Sequence, residues 1–326
     1  MFSPHVLDID AAAVIDSIAD TIRKQVLQQL RRRGVVVGLS GGIDSAVVAG
    51  LAVRAVGAAR VLGLLMPDRA SADDSLRLGR MMADALGVEV VVENIAPILE
   101  AAGCYDRQAD AIRMVFPDYV FGDPFKIVLP SILETDRLNV SRLTVRSQSG
   151  EARTASMRFE SNLQLVAATN FKQRVRKMLE YYHADRLHYA VAGTPNRLEY
   201  DQGFFVKQGD GAADFKPIAH LYKTQVYALA EPLGVPEEIR LRPPTTDTFP
   251  MPQTQEEFFF SLPHQHMDLC LYAHNHGVPA AEVAPVVGLA PDQVERVFKD
   301  IEQKRRATRY LHMAPLVVED IGQSSN

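Results

Sequence analysis

The sequence predicts a doubly wound α/β sheet, on three observations. Two short apolar runs, Val35-Val36-Val37-Gly38-Leu39 and Val61-Leu62-Gly63-Leu64-Leu65-Met66, lack polar alternation, as strands buried on both faces do. Segments with helical spacing stand before and between them. The loop Ser40-Gly41-Gly42-Ile43-Asp44-Ser45 joins the first run directly to a helix, the place where parallel sheets bind ligands.

Taken in order, Val14, Ile15, Ile18, Ile22, Val26 and Leu30 recur at helical spacing, and Arg31-Arg32-Arg33-Gly34 supplies a cationic last turn and a glycine stop. The first strand follows, then a helix from Ser45 that stops at Gly57. The second strand ends at Pro67, and the spacing predicts a helix over about 72–86, a strand over 88–92 and a later strand at Tyr189-Ala190-Val191-Ala192. Between 104 and 160 this rhythm breaks. Leu143 and Val145 alternate with polar residues, as do Ala155, Met157 and Phe159, with Gly150 between the two runs. This reads as a β-hairpin inserted into the α/β core. Arg137, Arg142, Arg146, Arg153 and Arg158 make it basic, which suits a charge-protected edge more than a phosphate or partner contact. The C-terminal third is helical: Pro291 suits a first helical position, and Val294, Val297, Phe298 and Ile301 form one stripe running into Lys304-Arg305-Arg306. One domain over 1–326 results, with an insertion at about 105–160 and a helical region at about 255–326.

With 326 residues, 47% of them hydrophobic, the chain can bury a large core. A net charge of −5 gives no global attraction to nucleic acid or anionic membrane. The longest apolar stretch, 46–53, is far short of a membrane span, and the N-terminus lacks the pattern of a secretory signal, so a cytoplasmic protein is expected. Cys104 and Cys270 are too few for a disulfide framework and read as buried fillers.

The chemistry concentrates at the predicted strand ends. Gly41 and Gly42 let backbone approach an anion, Ser40 and Ser45 supply hydroxyls, and the following helix points its free N–H groups at the same place. Asp44 would repel a phosphate unless a cation lies between them, which points to Mg²⁺ carried with a nucleotide. Gly193-Thr194-Pro195-Asn196-Arg197-Leu198-Glu199 follows the last strand, so Glu199 is expected to meet Asp44 at one sheet rim as the second metal ligand. The segment 203–214 is too rich in glycine and charge for a core element. Phe204 and Phe205 within it either stack on a flat ring or pack beneath the loop, and Lys207 and Asp214 could meet the polar edge of a substrate. Lys223, Thr245 and Lys304-Arg305 add groups suited to phosphate, although any one of them alone would pass as a surface residue.

The Ser-Gly-Gly-Ile-Asp-Ser loop resembles that of the N-type ATP pyrophosphatases (PP-loop proteins), which cut ATP between its α and β phosphates to adenylate a substrate. Within that group, Gly193-Thr194 to Glu199, Gly203-Phe204-Phe205, Lys207, Gly209-Asp210-Gly211, Asp214, Leu221-Tyr222-Lys223-Thr224, Pro244-Thr245-Thr246-Asp247 and Lys304-Arg305 are similar in order and spacing to the NAD synthetase family. The resemblance implies that Gly38, Leu39, Ser40, Gly41, Gly42, Ile43, Asp44, Ser45, Thr194, Lys223 and Thr245 contact ATP. It implies that Asp44 and Lys223 serve catalysis and that Asp44 and Glu199 bind Mg²⁺. Asn170, Arg174, Phe204, Lys207, Asp214, Gln303 and Lys304 are implied to hold deamido-NAD, whose carboxylate is amidated with ammonia to give NAD, AMP and pyrophosphate. A homodimer is implied as well. Two departures fall on the substrate side: Gln303 stands where the family commonly has histidine, and the segment before Arg174 is longer than in the compact ammonia-using enzymes. No glutaminase domain is expected ahead of the first strand, so nitrogen would come as free ammonia or from a separate glutaminase, with the hairpin as a possible contact. Two other readings stay open. One is an adenylating ligase of the same fold acting on a different carboxylate. The other is a DNA-binding regulator, since 279–299 reads as a helix-turn-helix around Val283, Val286 and Leu289, though its second helix is poorly basic.

Overall fold

The computed structural model describes residues 2–70, 73–129, 141–244, 249–260 and 262–319. Helix α1 (Ala11–Arg23) opens on Asp10, whose side chain accepts from the Ala13 amide, and continues as a π-helical segment, Lys24–Gln29. The stop differs from the expected one. Arg31 takes the left-handed conformation (φ 51°), whereas Gly34 is needed for close approach, since a Cβ there would lie 2.3 Å from the Arg60 carbonyl oxygen. Strand β1 (Val35–Gly38) leads through the Ser-Gly-Gly loop into α2 (Ile43–Val56), which starts two residues earlier than predicted and ends at Gly57 with φ 83°. Strand β2 (Val61–Leu65), helix α3 (Asp73–Leu86) and strand β3 (Glu89–Val92) follow, much as the spacing predicts.

Helices α4 (Ala96–Ala101) and α5 (Cys104–Arg113) lead into β4 (Phe125–Val128), β5 (Arg142–Arg146) and β6 (Ala152–Ser156), an antiparallel sheet in the order β4-β5-β6. The predicted hairpin is β5–β6, turning at Gly150 (φ 87°), and β4 is an additional strand the alternation did not reveal. Arg142 and Arg146 are exposed at the two ends of β5. Arg153, on the edge strand β6, pairs with Asp118 at 2.8 Å and lies over the Phe116 ring. Arg137 lies outside the described residues.

Helix α6 (Phe159–Leu187) returns the chain to β7 (Ala190–Val191), shorter than the strand predicted at 189–192. The main sheet is parallel in the order β3-β2-β1-β7, with Val35 and Val36 of β1 paired to Val61 and Leu62 on one side and to Ala190 and Val191 on the other. The chain therefore reverses direction across the sheet between β1 and β7, where doubly wound folds open a crevice. Both faces are buried: Val35 and Val37 join the core beneath α1 and α2, while Val36, Leu62, Leu64 and Val191 pack with Ala184 of α6.

The remaining elements are α7 (Arg197–Gln202), α8 (Lys223–Ala230), α9 (Glu237–Leu241), α10 (His264–Asn275), α11 (Ala280–Val287) and α12 (Pro291–His312). The predicted helix pair is present, with Gly288 left-handed (φ 67°) between α11 and α12. Val283, Val294, Val297 and Ile301 are fully buried in its core, with Val286, Leu289 and Phe298 half-buried. Several cations of α12 are engaged internally: Lys304 with Asp300, and Arg305 with Asp201 and Glu302. Among the described residues no helix is long and apolar enough to cross a membrane. Cys104 and Cys270 are buried free thiols, as expected, and burial pushes them up to about 11 and about 12.

Candidate active site

A cavity of about 450 Å³ opens at the C-terminal ends of β1 and β7, within the usual size of a small-molecule site. Its floor is the phosphate-type loop. Ser45 Oγ accepts from the Ser40 amide at 3.3 Å and donates to the Gly42 carbonyl at 3.0 Å, while the Ser40 and Ser45 hydroxyls lie 3.1 Å apart. The predicted hydroxyls thus shape the loop as well as line it. Gly38, Leu39, Ser40, Gly42, Ile43 and Ser45 all line the cavity. Gly41 faces the other way: it is left-handed (φ 76°), and a Cβ would meet the Ser75 carbonyl oxygen of α3 at 2.8 Å. Glycine there serves the approach of α3.

Asp44, in the first turn of α2, accepts from Asn196 Nδ2 at 3.0 Å through Oδ1 and from the Lys223 ammonium through Oδ2. Lys223 is the first residue of α8 and is 2% exposed. Burial acts to lower its pKa, but Asp44 and then Glu199 more than offset this and hold the ammonium above the usual lysine value. Glu199 is the third residue of α7, where it closes a capping box with Asn196: the Asn196 amide donates to Glu199 Oε2 and the Glu199 amide to Asn196 Oδ1, each at 3.2 Å. Gln255 Nε2 donates to its other oxygen at 3.0 Å. Burial, and after it the Asp44 carboxylate, pushes the Glu199 carboxyl far up. The expected meeting of Asp44 and Glu199 occurs, with one feature the sequence did not show: Lys223 sits with them and partly neutralises both.

Thr194 also lines the cavity, while Thr245 lies outside the described residues. Of the residues implied for the acid substrate, Asn170 and Phe204 line the cavity; Arg174, Lys207, Asp214, Gln303 and Lys304 do not. Phe204 stacks on Phe259 (centroids 4.6 Å apart) and Phe205 on Tyr200 (5.7 Å), so each ring has a protein partner while also facing the cavity. Arg174 Nε donates to the Lys207 carbonyl at 3.3 Å. Lys207 Nζ donates to the Tyr310 and Met313 carbonyls at 2.7 and 3.1 Å, closing the end of α12. Asp214 accepts from the Val191 amide at 2.8 Å and from the Tyr181 hydroxyl at 3.4 Å. Lys304 is half-buried against the Phe259 carbonyl, Asp300 and the Phe259 ring, and Gln303 is exposed.

The NAD synthase family model matches residues 14–114 and 135–309. A curated relative from Mesorhizobium japonicum, an NH(3)-dependent NAD(+) synthetase, is 62% identical over 318 residues, which is 98% of this chain and all of the relative. The chain belongs to the NAD synthase family. The structure of an NMN synthetase from Francisella tularensis superposes with a TM-score of 0.66 at 22% identity, over 95% of this chain and 99% of that one. An NH3-dependent NAD synthetase from Campylobacter jejuni does so with 0.61 at 23%, over 95% and 100%. Both show the same fold. The NAD synthase model leaves out 115–134, the stretch that contains β4.

Several cavity residues of this NAD synthase chain escaped the sequence reading as site residues, among them Arg176, Lys177 and Glu180 on α6. Arg176 lines the wall and donates through Nε to the Met66 carbonyl at 3.2 Å. Lys177 and Glu180 form a buried pair at 2.5 Å. Asp210 lies beside them, its pKa raised by burial although its carboxylate accepts from the Val206 amide at 2.7 Å. Tyr227 stacks on His264 (5.1 Å, 18°), and burial, then Lys223, pushes His264 down to about 4, leaving it neutral near pH 7. Asp210 sits in the Gly-Asp-Gly run the sequence displayed; the α6 residues gave no signal of their own.

Proposed function

We propose that this chain is an ammonia-dependent NAD synthetase that uses ATP to adenylate the nicotinate carboxylate of deamido-NAD. In the first step a carboxylate oxygen attacks the α-phosphorus, the bond to the bridging oxygen breaks and pyrophosphate leaves. Ammonia then attacks the acyl carbon, AMP leaves and a proton is lost, giving NAD. Activation is needed because a free carboxylate is inert to ammonia, whereas its mixed anhydride carries a good leaving group. The observation that carries the reading is the Asp44–Lys223–Glu199 constellation over the phosphate-type loop, in a chain 62% identical to an ammonia-dependent synthetase.

The loop 38–45 and Thr194 would cradle the phosphates, with Lys223 neutralising charge as pyrophosphate departs. Asp44 and Glu199 suit Mg²⁺. They are two hard, half-buried anionic donors that line the same cavity as the phosphate-type loop and would hold the ion there. When bound, such an ion would offset the charge of the phosphates. Asn170 and Phe204 are positioned for the acid substrate at the cavity, while Arg174, Lys207 and Asp214 offer contacts for its distal part on the adjoining rim. Gln303 and Lys304 would join only after a rearrangement of α12.

The chain acts as one unit over 1–326, with 105–160 as an elaboration and ammonia as the immediate nitrogen donor, free or handed over by a separate glutaminase near the hairpin. A homodimer in the cytoplasm completes the reading. Phe159, Leu163, Met178 and Tyr182 are exposed apolar residues of α6 that a second copy would cover. To test the adenylation step, deamido-NAD labelled with ¹⁸O in its carboxylate is turned over and the AMP analysed by mass. One label per AMP is expected, and unlabelled AMP would contradict the acyl-adenylate route. In the same assay, preference for the nicotinate mononucleotide over the dinucleotide would move the chain to a ligase with a different acid.

A further inference from the structure

Lys223 is pinned at its tip by Asp44, and the structure shows what pins its root. The first turn of α8 presents free amides, as every helix start does. The local sequence, Leu221-Tyr222-Lys223-Thr224, places no Ser, Asp or Asn at the cap position. The acceptor comes from 45 residues away. Asp268, on α10 and 0% exposed, accepts from the Lys223 amide through Oδ1 at 3.2 Å, and through Oδ2 from the Thr224 amide at 2.7 Å and the Thr224 hydroxyl at 2.6 Å. It does not line the cavity, so it touches neither nucleotide nor acid. No step of the proposed reaction uses it.

We infer that Asp268 is a positioning residue for Lys223: by holding the first turn of α8 from a neighbouring helix, it aims the lysine ammonium at Asp44 and the phosphate loop. The inference rests on the reading that Lys223 serves ATP. A lysine side chain has four flexible torsions, so fixing its backbone root is what converts a flexible cation into a preorganised one. A helix end held only by its own residues frays, and fraying at α8 would move Lys223 first because it is the first helical residue. Keeping a carboxylate there has a cost: burial pushes Asp268 up to about 6 even though the Thr224 and Lys223 bonds act to lower it. Three charge-assisted bonds to one turn are the return for that cost.

The test is a double-mutant cycle on the full chain, read as Mg²⁺-ATP affinity by titration calorimetry, with folding checked by thermal denaturation. Asp268→Ala should weaken ATP binding by about 10- to 100-fold, the range expected for losing charge-assisted bonds at a preorganised site. Its KM for deamido-NAD should stay within about twofold, since no contact to the acid is lost. Asp268→Asn keeps an oxygen for the two Thr224 bonds and should recover most of the affinity; if the alanine variant does not fold, Thr224→Val, which removes the hydroxyl bond to Asp268, takes its place and should weaken ATP binding by about threefold or more. In a Lys223→Met background, Asp268→Ala, or its substitute Thr224→Val, should cost less than about twofold more, because the residue through which it acts is gone. An equal penalty in both backgrounds would overturn the inference and leave the role of Lys223 intact. Unchanged ATP affinity in Lys223→Met alone would instead remove the reading of Lys223, and the inference with it.

Discussion

Lys223 carries a charge in a place where water hardly reaches, and the two carboxylates beside it make that tolerable. Replacing it by methionine should lower kcat/KM for ATP by about 100-fold or more, the loss seen when one preorganised electrostatic contact to a transition state is removed. Steady-state kinetics with ATP varied and deamido-NAD saturating checks this. Glu199 gives a pH prediction. Its folded pKa lies above the ordinary glutamate value of 4.5, at about 8, so the folded chain holds an extra proton in that window. The stability it contributes is therefore present below about 4.5 and lost as pH rises through about 8. Glu199→Gln should accordingly gain stability relative to the parent between pH 5.5 and 8.5, read as the difference in Tm at roughly each pH. If Glu199 takes part in holding Mg²⁺, binding Mg²⁺-ATP near pH 7 should release about one proton, measurable as a buffer-dependent heat, and the glutamine variant should release none. Asp44 and Glu199 could be read as partners because each follows an apolar strand at a recognisable glycine turn. The ammonium between them could not, since its place depends on how α8 packs against α2.

At the scale of elements, α6 shows why part of the site was hidden. Its 29 residues bury Leu165, Ala168 and Val175 together with Lys172, Lys177, Glu180 and His183, so no apolar stripe marks the helix although much of it is covered. Periodicity detects a helix with one dry face, and α6 has polar residues buried among its apolar ones. One of them, Lys172, pairs with Asp68 at 2.9 Å, with both side chains almost fully buried. Lys172→Met should destabilise the fold by about 3–5 kcal/mol by leaving the Asp68 charge behind, checked by denaturant unfolding. Strands β1 and β2, by contrast, were legible almost to the residue, because a strand buried on both faces has to be apolar at every position. Strand β4 was not, since Lys126 interrupts it and its partner β5 lies beyond a long connection. In the phosphate loop, Gly41→Ala should cost about 1–3 kcal/mol through left-handed strain and the approach to Ser75, and should also displace the loop relative to α3.

On the scale of the whole molecule, the reversal of strand order between β1 and β7 is what brings Asp44 and Glu199, 155 residues apart in sequence, to one crevice. The fold class and this crevice followed from the apolar runs. How the acid-side residues distribute themselves did not, because Arg174, Lys207 and Lys304 find partners on α12, the loop 203–214 and the Phe259 carbonyl that only the packed molecule supplies. The exposed Phe159 and Leu163 of α6 lead to the expectation of a solution mass twice that of one chain by light scattering, and Leu163→Glu should shift it to the monomer. The account stands most directly on the product balance of the complete reaction. Purified chain supplied with ATP, Mg²⁺, ammonium and deamido-NAD should yield NAD, AMP and pyrophosphate in equal amounts, with none of them formed in quantity when ammonium is withheld from a many-turnover assay. Release of ADP and phosphate, or no ATP cleavage with deamido-NAD present, would contradict it.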